Sequence, residues 1–273
     1  MTQRSWPRRA PLGPPHALIG AAVLVVATFL AACTGETSVV STRDLEYVDG
    51  HELDIYAPTG ADGLPVVVVL HGAGLERRRY EPFARRIAET GAVALNVDWD
   101  VLPRSFEEAS EQIACAVWFA RVRAPDVGGD PERIVLVGHS SAAPWATRAA
   151  IVGDEYDGEC AGGDSVADAL AILAPSSVPG GWPWEHSLLR QRPELDVVVV
   201  HGADDDVADP SFGRRTADAL SAAGHDARVE IVPGGHFDLV MIPVGLPDGT
   251  KPDEAAADRA IEAILELVGD RPS

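Results

Sequence analysis

The chain has 273 residues, 46% of them hydrophobic and 23% charged, a balance that gives one or two globular domains with a sizeable core and excludes a disordered chain. Its formal net charge is −20, so nucleic acid is excluded as a partner by repulsion, and an anionic lipid surface would need some other anchor. Gly and Ala are abundant, and the single lysine is Lys251.

Residues 1–32 are a separate object. Arg4, Arg8 and Arg9 give a basic start, and Ala17 to Ala32 is an uncharged, mostly apolar run. The run is short of the roughly 20 residues that a membrane span needs, but it suits the apolar region of a secretory signal. It ends in Leu30-Ala31-Ala32-Cys33, which resembles the bacterial lipoprotein box. That resemblance implies cleavage before Cys33, lipidation of Cys33, and an exported chain lipid-anchored to the outer face of the bacterial cell membrane. An ordinary cleaved signal or an uncleaved anchor remains the rival, as does the choice between the general and twin-arginine export routes. Arg8-Arg9 suits the latter, but Pro7 and Pro11 do not. Loss of the three arginines would take the net charge from −20 to −23. Residues 33–42 then read as a tether, and 43–273 as a single domain.

Within that domain, Arg43 to Pro58 reads as a hairpin turning at Asp49-Gly50, a strong turn dipeptide. Pro65 to Leu70 is a continuous apolar run and so a strand buried on both faces. Glu76 to Thr90 has helical spacing, Ala92 to Val97 is a third strand, and Phe106 to Val122 is a helix closed off by Pro125 and Gly128-Gly129. Ile134 to Val137 is the central strand, with a helix over Ala143 to Ile151. Strands over Ala169 to Ala174 and Val197 to Val200 follow, then a helix over Ser211 to Ala223, a strand over Ala227 to Val232 and a helix over Glu254 to Val268. Apolar strands alternating with helices predict a mostly parallel α/β sheet covered on both faces, with an N-terminal hairpin.

Cys115 falls in the helix before the central strand, and Cys160 in the loop after the helix that follows it. Those elements can be neighbours on one sheet face, and an exported chain folds in an oxidising place, so a Cys115–Cys160 disulfide is expected. Neither cysteine has histidine at a metal-ligand spacing, and no metal site is expected.

Four short motifs carry the chemistry. Gly138-His139-Ser140-Ser141-Ala142 joins a strand to a helix, the context in which a central Ser sits exposed on a sharp turn with small residues two positions either side. Ala142 stands where the usual pattern has a second Gly. His71-Gly72-Ala73-Gly74 follows the second strand, His201-Gly202-Ala203-Asp204-Asp205-Asp206 ends the sixth, and Gly234-Gly235-His236 lies just past the seventh. Active groups gather at the carboxyl ends of parallel strands, so these segments can converge. No G-x-G-x-x-G follows the first strand, and no cofactor is expected.

In this order the four motifs resemble the α/β-hydrolase superfamily, over roughly residues 43–270. More narrowly they are similar to a bacterial carboxylesterase branch that includes feruloyl-esterase-like and dienelactone-hydrolase-like proteins, which Asp130-Pro131-Glu132-Arg133 also suggests. The resemblance implies Ser140 as nucleophile, His236 as base, and an acid among Asp204, Asp205 and Asp206, with Asp205 favoured by spacing. It implies an oxyanion hole from Ser141, Ala73 and Gly74, and a small-molecule carboxylic ester, short-chain or aryl, as substrate. A hydrolase of amide, thioester or peptide bonds would use the same groups, and a non-catalytic lipoprotein retaining the fold is the rival from another class. His201 and His71 read as structural partners of their loops, and Asp98 and Asp100 as surface turn acids. His139 has no assigned role. Trp182 and Trp184 lie where this fold inserts cap elements; they either stack on an acyl or aryl group or pack a long loop. The oligomeric state is left open.

Overall fold

The computed structural model describes residues 37–101, 106–157, 160, 163–177, 188–192, 195–244 and 251–269. The signal segment, Cys33, Trp182 and Trp184 lie outside the described residues.

The hairpin forms as its turn dipeptide predicts. Strand β1 (Val39–Val48) and β2 (His51–Pro58) pair antiparallel, with Gly50 at a left-handed φ of 78°. β1 starts at Val39, so residues 39–42 of the expected tether pair with residues 55–58 in the sheet. The remaining strands are β3 (Leu64–Leu70), β4 (Val93–Val97), β5 (Gly129–His139), β6 (Ala169–Leu173), β7 (Asp196–Gly202) and β8 (Asp226–Val232). They form one eight-stranded sheet in the order β1-β2-β4-β3-β5-β6-β7-β8. β2 runs antiparallel to β4, and from β4 to β8 every pairing is parallel.

The unbroken valine run of β3 explains why both faces are covered. Val66, Val68 and Leu70 point into a core shared with Ile113 and Val117 of α2 (Phe106–Arg123), Ala146 and Ala150 of α3 (Ala143–Val152) and Leu220 of α4 (Ser211–Ala223). Val67 and Val69 point the other way, onto Phe83 and Ile87 of α1 (Glu81–Glu89) and Ile261 and Ile264 of α5 (Glu254–Glu266). Successive side chains of a strand face opposite sides, and each fully buried valine contributes about 1.5–3 kcal/mol. Polar clamps tie the outer layer together. Arg86 of α1 grips Asp258 of α5 through two bonds of 2.8 and 2.9 Å. On the first core's side, Cys115 and Cys160 form the expected disulfide, joining α2 to the segment beyond α3.

Two elements differ from their sequence-based bounds for local reasons. The helix expected from Glu76 is a 3₁₀ turn, Arg77–Tyr80, followed by α1. Pro82, at the start of α1, has no N–H to donate and sets a new N-terminus there. β5 begins five residues before Ile134, because Gly129 pairs with Leu64 ahead of a register irregularity.

The 3₁₀ turn is held by a charge cluster around a buried Arg77–Asp54 pair. Arg77 donates to Asp54 at 2.7 Å, Glu52 at 2.7 Å and Asp44 at 2.6 Å, while its carbonyl accepts from Asn96 at 2.6 Å. Burial works against the guanidinium's charge, but these carboxylates, Asp54 first among them, raise its pKa overall.

Candidate active site

The parallel register brings the ends of four strands to one edge. Leu70 of β3 pairs with Gly138 of β5, and Gly202 of β7 with Val232 of β8. The loops after these strands carry His71, Ser140, Asp205 and His236.

Ser140 has a φ of 55°, a left-handed value unusual for a residue with a side chain. It follows directly on β5 as the first residue of the 3₁₀ turn Ser140–Ala142 that leads into α3. The tightness of this turn dictates its neighbours. A Cβ on Gly138 would meet the Ala146 side chain at 2.6 Å and the Ala142 carbonyl oxygen at 2.9 Å. A Cβ on Gly72 would meet Ser140 Cβ at 3.2 Å, so glycine lets the His71 loop lie close beside the serine. The strained turn leaves Ser140 half-buried beside the buried residues at the end of β5.

Of the three consecutive acids, Asp205 is the one brought to His236. Its Oδ2 accepts from His236 Nδ1 at 2.8 Å and lies 3.0 Å from His201 Nε2. Its Oδ1 accepts from the N–H groups of Val207 at 2.9 Å and Ala208 at 2.8 Å. Burial alone would raise its pKa; hydrogen bonds from His201, His236 and Ala208 outweigh burial and hold it well below the usual carboxylate range. Asp204 Oδ2 instead accepts from Gly234 N–H at 3.3 Å, and Asp206 is exposed. The two loops approach closely because a Cβ on Gly202 would meet the Gly234 carbonyl oxygen at 2.3 Å.

His236 is buried, and with Nδ1 committed to Asp205 its Nε2 is the nitrogen left for proton exchange. Ser140 Oγ and His236 Nε2 do not hydrogen-bond in this conformation, a bond that commonly tightens only when substrate is bound. His201, expected as a loop partner, acts as one: its Nε2 also lies 2.9 Å from the Ala208 carbonyl oxygen, bracing the turn that carries Asp205.

The expected oxyanion groups are adjacent but not all free. The Ala73 N–H donates to Ser141 Oγ at 2.6 Å. Gly74 has a φ of 72°, which a glycine adopts freely. Ser141 lies in the first turn of a helical segment, where an N–H has no intrahelical acceptor.

Beside this loop, Trp99 donates from its indole nitrogen to the His71 carbonyl oxygen at 3.1 Å and lies 6.2 Å, centroid to centroid, from Trp145 of α3. His71 Nε2 lies 3.2 Å from Asp98 Oδ1, a contact that lowers the Asp98 pKa. Asp98 is therefore tied to the loop, while Asp100 is exposed and bonds Gln112 at 3.1 Å.

Two further residues meet here, His139 and Tyr80, neither of which the sequence motifs give a role. Tyr80 Oη accepts from Gly72 N–H at 2.9 Å and lies 2.6 Å from His139 Nδ1. His139 Nε2 lies 3.1 Å from the His236 carbonyl oxygen. Tyr80 sits in a 3₁₀ turn eight residues beyond Gly72, a spacing with no periodic signal to flag it. Among the described residues no group of three or more His, Cys, Asp or Glu side chains is placed to hold a metal ion.

A BD-FAE family model matches residues 53–172, rather less than half of the chain. Gut esterase 1 of Caenorhabditis elegans is 29% identical over 162 residues, 54% of this chain and 27% of that protein. The "Probable isoprenylcysteine alpha-carbonyl methylesterase" of Oryza sativa subsp. japonica is 35% identical over 102 residues, 34% of this chain and 23% of that protein. The chain thus spans about a quarter of the length of the curated relatives it matches. Among solved structures, the propionate-bound thermophilic esterase of Thermogutta terrifontis aligns with a TM-score of 0.60 at 20% identity, covering 87% of this chain and 97% of that one. With the strand order, the strained serine turn and the loop placement above, the chain has the α/β-hydrolase fold.

Proposed function

We propose that the chain is a serine hydrolase of carboxylic esters, short-chain or aryl, working through an acyl-enzyme. The observation that carries this reading is the buried Asp205–His236 pair, at 2.8 Å, on the strand edge where Ser140 holds its strained turn. A serine hydroxyl is a poor nucleophile and needs a base. His236 Nε2 takes the Ser140 proton as Oγ attacks the ester carbonyl, then returns it to the leaving alcohol. Asp205 keeps the proton on Nδ1 and stabilises the imidazolium that forms. The oxyanion meets the N–H groups of Ser141 and of the Ala73-Gly74 loop, each such donor being worth about 10²–10³ in rate. Water then attacks the acyl-enzyme by the same steps in reverse. The esterase names among the relatives support an ester over an amide or peptide bond.

The test is turnover of p-nitrophenyl acetate with a burst of p-nitrophenol, and covalent labelling by a fluorophosphonate, both lost in Ser140→Ala. No burst and no labelling of the native chain would establish the non-catalytic reading. We also propose export and lipid anchoring at Cys33, on the strength of Leu30-Ala31-Ala32-Cys33; an incorporated fatty-acid label that persists in Cys33→Ala would refute it.

A further inference from the structure

The hydrogen bonds around His139 run in one direction. Tyr80 Oη already accepts the Gly72 N–H at 2.9 Å, so its single proton is free to go to His139 Nδ1, 2.6 Å away. An Nδ1 that accepts carries no proton, so the ring's hydrogen is on Nε2, which faces the His236 carbonyl oxygen at 3.1 Å. Both side chains are fully buried, so a lost partner leaves a desolvated polar group. The His139 ring also lies 4.8 Å from the His236 ring and 5.7 Å from that of Tyr80. Three separate loops are therefore joined through two side chains: the Gly72 loop after β3, the serine turn after β5 and the histidine loop after β8.

We propose that Tyr80 and His139 are positioning residues for the reaction, setting the oxyanion loop and the backbone of the catalytic histidine relative to Ser140 through this one-way chain of hydrogen bonds. The proposal rests on the serine-esterase reading. Neither side chain hydrogen-bonds the Ser140 hydroxyl or the His236 ring. Their effect is on placement, where an error of about 1 Å can reduce rate on the order of 10²-fold. Burial, with the neighbouring His236 adding to it, pushes the His139 imidazole down to about 3, consistent with a ring that stays neutral while His236 cycles its proton.

The experiment compares wild type, Tyr80→Phe, His139→Gln and His139→Phe on p-nitrophenyl acetate, with Ser140→Ala as the blank. Tyr80→Phe keeps the ring volume and removes only the hydroxyl; its kcat is expected to fall 10- to 100-fold with KM within twofold, and fluorophosphonate labelling to slow in parallel. His139→Gln, which can both accept from Tyr80 and donate to the His236 carbonyl, should retain activity that His139→Phe loses. A Tyr80→Phe enzyme within twofold of wild-type kcat, or equal activities for the Gln and Phe variants, would overturn the proposal. If Tyr80→Phe does not fold, the His139 pair decides. Failure of the esterase reading looks different: wild type then shows no turnover above Ser140→Ala. In that case ¹⁵N spectra of the wild-type imidazoles decide the network itself, with a neutral Nε2–H tautomer expected from pH 7 to 5 and a His139 titrating near pH 6.5 ruling it out.

Discussion

The Ala73 N–H donates to the Ser141 hydroxyl oxygen at 2.6 Å, so a backbone donor of the proposed oxyanion loop is held by the side chain that follows the proposed nucleophile, Ser140. The hydroxyl fixes the aim of this loop before substrate arrives. Ser141→Ala should therefore lower kcat about tenfold, the equivalent of one hydrogen bond of ~1.4 kcal/mol, while Ser141→Thr keeps most of the activity. Steady-state kinetics on p-nitrophenyl acetate checks this; a faster Ser141→Ala enzyme would mean that the hydroxyl obstructs the hole.

His139 makes stability depend on pH. Its folded-state pKa lies near 3, below the ordinary histidine value of about 6.5. Between these values the unfolded chain binds a proton that the folded chain does not, so stability falls as pH drops from about 6.5 towards 3. The slope from this one group is up to about 1.4 kcal/mol per pH unit. Its charged and titratable neighbours are His236, Asp205, His201 and Tyr80. Urea denaturation at pH 7 and pH 5 should show this loss in wild type and a smaller one in His139→Gln. Equal losses would place the effect elsewhere.

The Cys115–Cys160 bridge spans 45 positions of chain. Loop-closure entropy puts its contribution at up to about 4 kcal/mol. Reduction, or a double Cys→Ala change, should lower the urea midpoint accordingly without lowering activity at 25 °C, because the bridge joins α2 to the segment beyond α3 and neither sulfur hydrogen-bonds a residue of the candidate site. Unchanged midpoints with and without dithiothreitol would show that the bridge is not formed in solution.

Arg77 and Arg78 are adjacent, yet only the first matters for the fold. Arg77 is buried against Asp54, while Arg78 is exposed and 3.2 Å from Asp44. Arg77→Met leaves the buried Asp54 without its charge partner, its Oδ1 keeping only the Asp44 N–H, and should destabilise by about 3–5 kcal/mol. Arg78→Met should change stability by about 1 kcal/mol or less. Thermal denaturation of the two variants separates them, with a drop on the order of 10 °C for the first.

Much of the fold is legible in the residues because the strands are buried on both faces. Val66 to Val69 and Val197 to Val200 admit no other reading than interior strands, and Asp49-Gly50 marks its own turn. Ser140, Asp205 and His236 stand at strand ends, where motif and position reinforce each other. What sequence reading misses are side chains whose meaning comes from contacts across the sheet edge. Tyr80 is 59 positions from His139, and no local pattern links them. The shared use of Asp205 by His201 and His236 is likewise a product of two loops meeting. Pro82 was visible, but the helical spacing around it masked the break it makes at the start of α1.

Because Leu70 pairs with Gly138, the His71 loop and the serine turn leave neighbouring strands at the same height. One residue of slip between β3 and β5 would displace one loop past the other by about 3.3 Å, more than the length of the hydrogen bond from Ala73 to Ser141. The two loops are thus a matched pair: anyone transplanting this site, or randomising it to change specificity, must carry both together at constant strand length. The turns after β7 and β8, level with each other through Gly202 and Val232, are bound to that pair by the contact of His139 with the His236 carbonyl, so they travel with it.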